Sequence, residues 1–191
     1  MSTSLTDKRS LVCGGSQGIG RACAFELARL GAQVTLVARD EAALRKVLAE
    51  LPAPAGQGLQ HGYVVADFAN PRDLQAKVKA HWEAAGPVHI LINNTGGPHS
   101  GAIFDSTPEE FLDTFSKHVI CNQLLVQAVL PGMKQAGFGR IINIISTSVI
   151  QPIRGLGVSN TIRGAVAQWG RTMAAELAPF GITVNNILPG F

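Results

Sequence analysis

The chain is poor in cysteine and in charge, and it has no long apolar run. Its three cysteines, Cys13, Cys23 and Cys121, show none of the paired spacing of a zinc site or a disulfide framework, which suits a reducing, cytoplasmic setting. Charged residues make up 15% of the chain, and 16 Lys+Arg against 13 Asp+Glu leave +3, spread out rather than clustered. That pattern argues against nucleic acid as a partner, because phosphodiester-tracking proteins concentrate their basic residues. No stretch approaches the roughly eighteen apolar residues of a membrane span, and Met1 to Ser10 lack the apolar core of a signal peptide. A soluble, unexported protein is expected, with no membrane partner. What is abundant is apolar material: 46% hydrophobic residues in 191, with a mean hydropathy of +0.20, which excludes disorder. No repeat or low-complexity tract interrupts it, and residues 1–191 are read as a single domain.

Short β-branched runs alternate with longer helical patterns, the signature of βαβ units feeding a parallel sheet. The expected strands are Ser10–Cys13, Val34–Ala38, Tyr63–Ala66, Val88–Asn93, Arg140–Ile145 and Thr183–Leu188. Between them, Ile19, Cys23, Leu27 and Leu30 follow helical spacing, as do Leu44, Val47, Leu48 and Leu51, and then Ile162, Val166, Trp169, Met173 and Leu177. The expected fold is α/β: a doubly wound parallel sheet in three layers, a Rossmann fold. Thr107 and Pro108 read as N-cap and first residue of a helix, with Glu109 and Glu110 facing its positive end. A helix from Phe111 to Lys134 is apolar on more of its circumference than one sheet contact requires, so a homo-oligomer, dimer or tetramer, is expected.

The first strand runs into Cys13-Gly14-Gly15-Ser16-Gln17-Gly18-Ile19-Gly20, where a helix opens at once. Glycines let the backbone turn sharply and approach a pyrophosphate, and the helix N-terminus supplies unpaired N–H groups. Placed between strand and helix at the head of a βαβ unit, the loop marks Gly14, Ser16, Gln17, Gly18, Ile19 and Gly20 as dinucleotide-binding candidates. About twenty residues on, where such folds place an acid for the ribose hydroxyls, the second strand ends in Val37-Ala38-Arg39. A guanidinium matches phosphate oxygens, so Arg39 favours NADP (NADPH) over NAD as cofactor. Asp40 beside it reads as a helix N-cap.

With these residues the sequence resembles the short-chain dehydrogenase/reductase family over essentially its whole length. Gly14-x-x-x-Gly18-Ile19-Gly20 is followed in order by Asp67, by Asn93-Asn94-Thr95-Gly96, by Gly139-Arg140-Ile141-Ile142-Asn143-Ile144-Ile145-Ser146, and by Asn185-Asn186-Ile187-Leu188-Pro189-Gly190. The stretch from Leu130-Pro131-Gly132-Met133 to Ile145 is similar to the 3-oxoacyl-acyl-carrier-protein reductase branch. The resemblance implies that Asp67 contacts adenine, that Asn93 and Gly96 line the cofactor groove, and that Pro189 and Gly190 sit against the nicotinamide carboxamide. It also implies hydride transfer between the cofactor and a small carbonyl or acyl substrate. Relatives continue past Pro189-Gly190 into a substrate-covering loop and helix and a last strand, and the chain ending at Phe191 is expected to lack them.

The catalytic motif departs from the family's. Family catalysis uses a Ser, a Tyr thirteen positions later, a Lys four beyond that, and an Asn on the preceding helix; here these positions hold Ser146, Ser159, Arg163 and His118. A serine hydroxyl cannot be tuned toward neutral pH as a tyrosine can, and Arg163 stays protonated. Arg163 shares a helical face with Ser159 and is placed to hold ribose hydroxyls. His118 and His99 are the candidate replacement acids, since histidine titrates in the required range; the blander reading makes His118 a hydrogen-bonded helix residue and His99 a loop residue. Two functions are therefore expected to compete: an NADPH-dependent carbonyl reductase with a rearranged acid, or a nucleotide-binding protein that has lost the chemistry and acts as a regulator or subunit.

Overall fold

The computed structural model describes residues 4–56 and 58–190. Six parallel strands form one sheet: β1 (Arg9–Cys13), β2 (Gln33–Ala38), β3 (Gly62–Val65), β4 (Ile90–Asn93), β5 (Gly139–Ile144) and β6 (Ile182–Ile187). Their spatial order is β3-β2-β1-β4-β5-β6, so the strand order reverses between β1 and β4 and leaves a crevice beyond their carboxyl ends. Each expected strand is present, with bounds moved by at most two residues. The Asn143–Asn186 pairing shows how exact the register is, because matching residues of β4, β5 and β6 stand opposite one another.

Helices cover both faces of the central strands, which is why β2 and β4 are buried at nearly every position, whereas edge strand β6 alternates buried and exposed residues. On one side, α1 (Gly18–Arg29) and α2 (Glu41–Glu50) bury Ala24, Ala28, Leu44 and Val47 against Val34, Leu36 and Ile92. On the other, α3 (Pro71–Ala85), α5 (Cys121–Ala136) and α6 (Gly157–Leu177) bury Leu74, Val78, Leu125, Val129, Met133 and Leu177 against Leu11, Leu91 and Ile141. Asp40 caps α2 by accepting the Ala43 N–H at 3.0 Å. Helix α4 (Pro108–Phe115) begins with the expected Thr107 cap, made reciprocal because Glu110 accepts the Thr107 N–H.

The single helix expected from Phe111 to Lys134 is divided. A π turn, Ser116–Ile120, separates α4 from α5. The wider turn adds a residue to one coil of the helix and resets which side chains face inward. His118 is thereby turned into the protein, 3% exposed, while Leu112, Phe115 and Ile120 stay on the surface at 69%, 39% and 39%.

A ladder of side-chain amides crosses the carboxyl half of the sheet. Asn93 Nδ2 donates to Asn143 Oδ1 at 2.9 Å, Asn143 Nδ2 donates to Asn186 Oδ1 at 2.9 Å, and Asn186 Nδ2 ends on the Ala167 carbonyl of α6 at 3.2 Å. Gly170 admits it, since a Cβ there would lie 2.7 Å from Asn186 Oδ1. Among the described residues no helix is long and apolar enough to cross a membrane.

Candidate functional site

The glycine loop occupies the mouth of the crevice. Gly14 (φ +60°) and Gly18 (φ +54°) adopt left-handed backbone, which a Cβ disfavours. Gly20 is required for a different reason: a Cβ there would stand 2.2 Å from the Gly14 carbonyl oxygen, so its absence lets α1 close on the end of β1. Asn94 locks the same junction from β4, donating through Nδ2 to the Cys13 carbonyl at 3.2 Å. The first turn of α1 has no side-chain cap at Gln17, and a Cβ on Gly18 would meet no atom within 4 Å. Open backbone at an uncapped helix start is the cradle that a pyrophosphate fits.

From this cradle a cavity of about 460 Å³ runs across the sheet edge, lined by Gly14, Ser16, Gln17, Gly18 and Ile19 at one side and by Arg39, Asp67, Gly96 and His118 elsewhere. Arg39 is exposed beside small Ala38, with no carboxylate partner among the described residues. It is free to meet a phosphate at the site where other dinucleotide folds place an acid. Asp67 uses Oδ1 to accept the Ala69 N–H at 2.9 Å, which fixes its carboxylate at the cavity wall. These features fit a dinucleotide with a ribose phosphate.

Two sequence candidates stand apart from this wall. Asn93 is 2% exposed and spends its amide on Asn143, so it holds the sheet together beneath the groove. Gly20 serves the close approach just described. Conversely, Thr95, Asp113 and Lys117 line the cavity although no sequence motif marks them as ligand-binding. Asp113 and Lys117 are an i,i+4 pair at 2.6 Å, a spacing visible in the sequence, but only the π turn determines that they reach this wall.

The remaining candidates gather in a second hollow of about 210 Å³, lined by Ser146, Ser159, Arg163, Pro189 and Gly190. Ser146 follows β5 and its Oγ accepts the Ser148 N–H at 3.1 Å, leaving its own proton to donate. Ser159 and Arg163 stand one turn apart on α6, on one face. Arg163 is half-buried and donates through Nη1 to the Ile144 carbonyl at 2.8 Å. Thr147 N–H to the Pro189 carbonyl, at 3.1 Å, holds the far wall.

His118 belongs to the first cavity and not to this hollow. Burial, reinforced by the nearby Arg163 charge, pushes its pKa down to about 3. It is therefore neutral at ordinary pH, and its Nε2 lies 3.1 Å from the Gly96 carbonyl, to which it donates as an N–H. Held in this way, His118 fastens the Gly96 loop at the cavity wall. His99 is exposed and paired with Glu110, and hydrogen bonding to Ser100 and Glu110 raises its pKa. It reaches neither cavity wall, although Pro98 beside it does. The thiols offer no alternative, since Cys13 and Cys121 are buried and none of Cys13, Cys23 and Cys121 lines either cavity.

Comparison with known proteins identifies the family. The family description "short chain dehydrogenase" matches residues 8–191. A tropinone reductase homolog of Arabidopsis thaliana is 34% identical over 190 residues, covering 98% of this chain and 69% of its own. A 3-oxoacyl-acyl-carrier-protein reductase of Vibrio cholerae is 33% identical over 189 residues, covering 98% and 74%. The L-sorbose reductase of Gluconobacter frateurii, solved with NADPH and L-sorbose, superposes with a TM-score of 0.92 at 29% identity, covering 100% of this chain and 72% of that one. The chain spans about two thirds of the length of the curated relatives it matches.

Proposed function

The chain belongs to the short-chain dehydrogenase family, and on that premise we propose that it is an NADP(H)-dependent oxidoreductase acting on a small carbonyl or hydroxyl compound, similar to the 3-oxoacyl-acyl-carrier-protein reductases. The observation that carries the reading is the uncapped glycine cradle with unpaired Arg39 at the end of β2. When bound, NADPH supplies the hydride. The chain's own residues bind and orient: Gly14, Ser16, Gln17, Gly18 and Ile19 accommodate the phosphates, Arg39 holds the ribose phosphate, and Asp67 faces the adenine end. Gly96, Pro189, Gly190 and Arg163 border the nicotinamide end, with Ser146 left to donate one neutral hydrogen bond to a carbonyl oxygen. Calorimetry with NADPH and NADH tests it; equal affinities would remove the role of Arg39.

A second reading is favoured by the far end of the crevice. Ser159 and Arg163 provide no transferable proton near neutrality, and His118 is neutral and engaged. On this reading the chain binds the nucleotide and acts as a regulator or subunit with little turnover. NADPH binding without consumption across a ketone panel separates it from the first.

The proposal extends to assembly and place. Residues 1–191 act as one domain, in the cytoplasm, as a homo-oligomer that covers the exposed Leu112, Phe115 and Ile120. Light scattering at working concentration tests this, and a monomeric mass rejects it.

A further inference from the structure

Arg163 is the anomaly of the second hollow. Its guanidinium is half-buried and desolvation lowers its pKa, yet among the described residues no carboxylate pairs with it. A cation removed from water without a counter-ion is costly unless hydrogen bonds or a ligand compensate. One N–H is compensated, by the Ile144 carbonyl at 2.8 Å. The rest of the fork, which carries five donors, has no acceptor among the described residues. Nη2 lies 3.8 Å from where a Gly97 Cβ would be, so the guanidinium faces the junction of the two cavities.

Neutral donors surround the same space. The Ser159 hydroxyl has no protein partner among the described residues, and Ser146 has its proton free because its oxygen accepts from Ser148. The first turn of α6, at Leu156 and Ser159, borders the hollow without a side-chain cap, adding the positive end of a long helix. Ile153 and Leu156 make one wall apolar. Asn160 fixes that wall by donating to the Ile153 carbonyl at 2.9 Å.

We propose that Arg163 and Ser159 form a carboxylate-binding subsite beside Ser146, whose proton is left for the carbonyl oxygen, so that the ligand of this crevice is a small carbonyl compound bearing a carboxylate on a short alkyl chain. A planar carboxylate matches the free edge of the guanidinium in a bidentate way that lysine's point charge cannot reproduce. The apolar wall selects for carbon beside the anion, which inorganic oxyanions lack. The inference rests on the nucleotide reading only for its location, next to the nicotinamide end.

The test is calorimetric titration of the full chain with butyrate and with butyramide at fixed ionic strength, with and without saturating NADPH. Butyrate is expected to bind at least about tenfold tighter than the amide, the factor of a single well-formed charged hydrogen bond, and to keep that preference when NADPH is present. Arg163→Gln abolishes the preference. Ser159→Ala, a milder change that keeps the fold testable if the first variant does not fold, weakens butyrate several-fold and leaves butyramide alone. Equal binding of acid and amide overturns the proposal, as does a preference unchanged by both substitutions. A preference lost when NADPH is added also overturns it, because the anion was then in the phosphate cradle. NADPH affinity, read in the same preparations, reports on the nucleotide reading separately: its absence defeats that reading while the acid-against-amide comparison still judges this one.

Discussion

The two ends of the crevice are built differently. The end beside β1 is made of backbone: two left-handed glycines, a third with no room for a Cβ, and an uncapped helix start. The end beside β5 and α6 is made of side chains, Ser146, Ser159 and Arg163, on elements of ordinary geometry. A backbone site survives replacement of its neighbours and fails when a methyl group is added. A side-chain site keeps its shape while a few substitutions change its chemistry. One fold can thus retain nucleotide recognition and alter what happens beside the nucleotide.

The largest effect is expected from restoring the family's pair. Ser159→Tyr with Arg163→Lys should raise ketone turnover by on the order of 10²- to 10⁴-fold, with NADPH affinity little changed. Steady-state NADPH oxidation measures it; no gain would mean that the far end lacks more than its acid. Arg39→Asp should move the NADPH/NADH preference by about 10- to 150-fold toward NADH, the equivalent of about 1.5–3 kcal/mol for charged hydrogen bonds, in calorimetry. Gly18→Ala should weaken NADPH by about tenfold or more while costing about 1 kcal/mol of stability for its positive φ. If the affinity were unchanged, the cradle would not touch phosphate.

The last effect is on stability and its dependence on pH. His118 keeps a folded pKa near 3 against an unfolded value of about 6.5, so between these limits the unfolded chain binds the extra proton. Stability should therefore fall as pH drops through this window, by up to about 1.4 kcal/mol per pH unit. His118→Asn should flatten that dependence in urea titrations. Turnover of the unmodified chain should correspondingly show no step from His118 between pH 5 and 8; such a step, removed by His118→Asn, would restore it as the acid.

How much the sequence reveals follows the same division. The strands, the Thr107 and Asp40 caps and the glycine loop are legible because local pattern and backbone chemistry set them. Arg39 is legible because it follows a strand at a known distance from the loop. The π turn is not, since Phe111 to Lys134 has unbroken helical character and only tertiary contacts select the wider coil. With it went the orientation of His118, whose residue type suggests an acid and whose burial makes it a fastener. Asn93 misleads for a related reason: its motif lies at the groove, but its amide turns sideways into the sheet.

That sideways turn has a consequence for how the chain finds its pairing. Sliding one strand by two residues keeps each side chain on its own face, so hydrophobic contacts penalise the error weakly. Asn93 would then oppose Ile141 or Ile145 in place of Asn143, and buried amides would be stranded without acceptors, at about 1–3 kcal/mol each. Because the partners are 50 and 43 residues apart in the chain, the ladder closes only when β4, β5 and β6 have all arrived in the correct alignment. It serves as a proofreading device for assembly, rejecting misaligned sheets that greasy strands alone would tolerate.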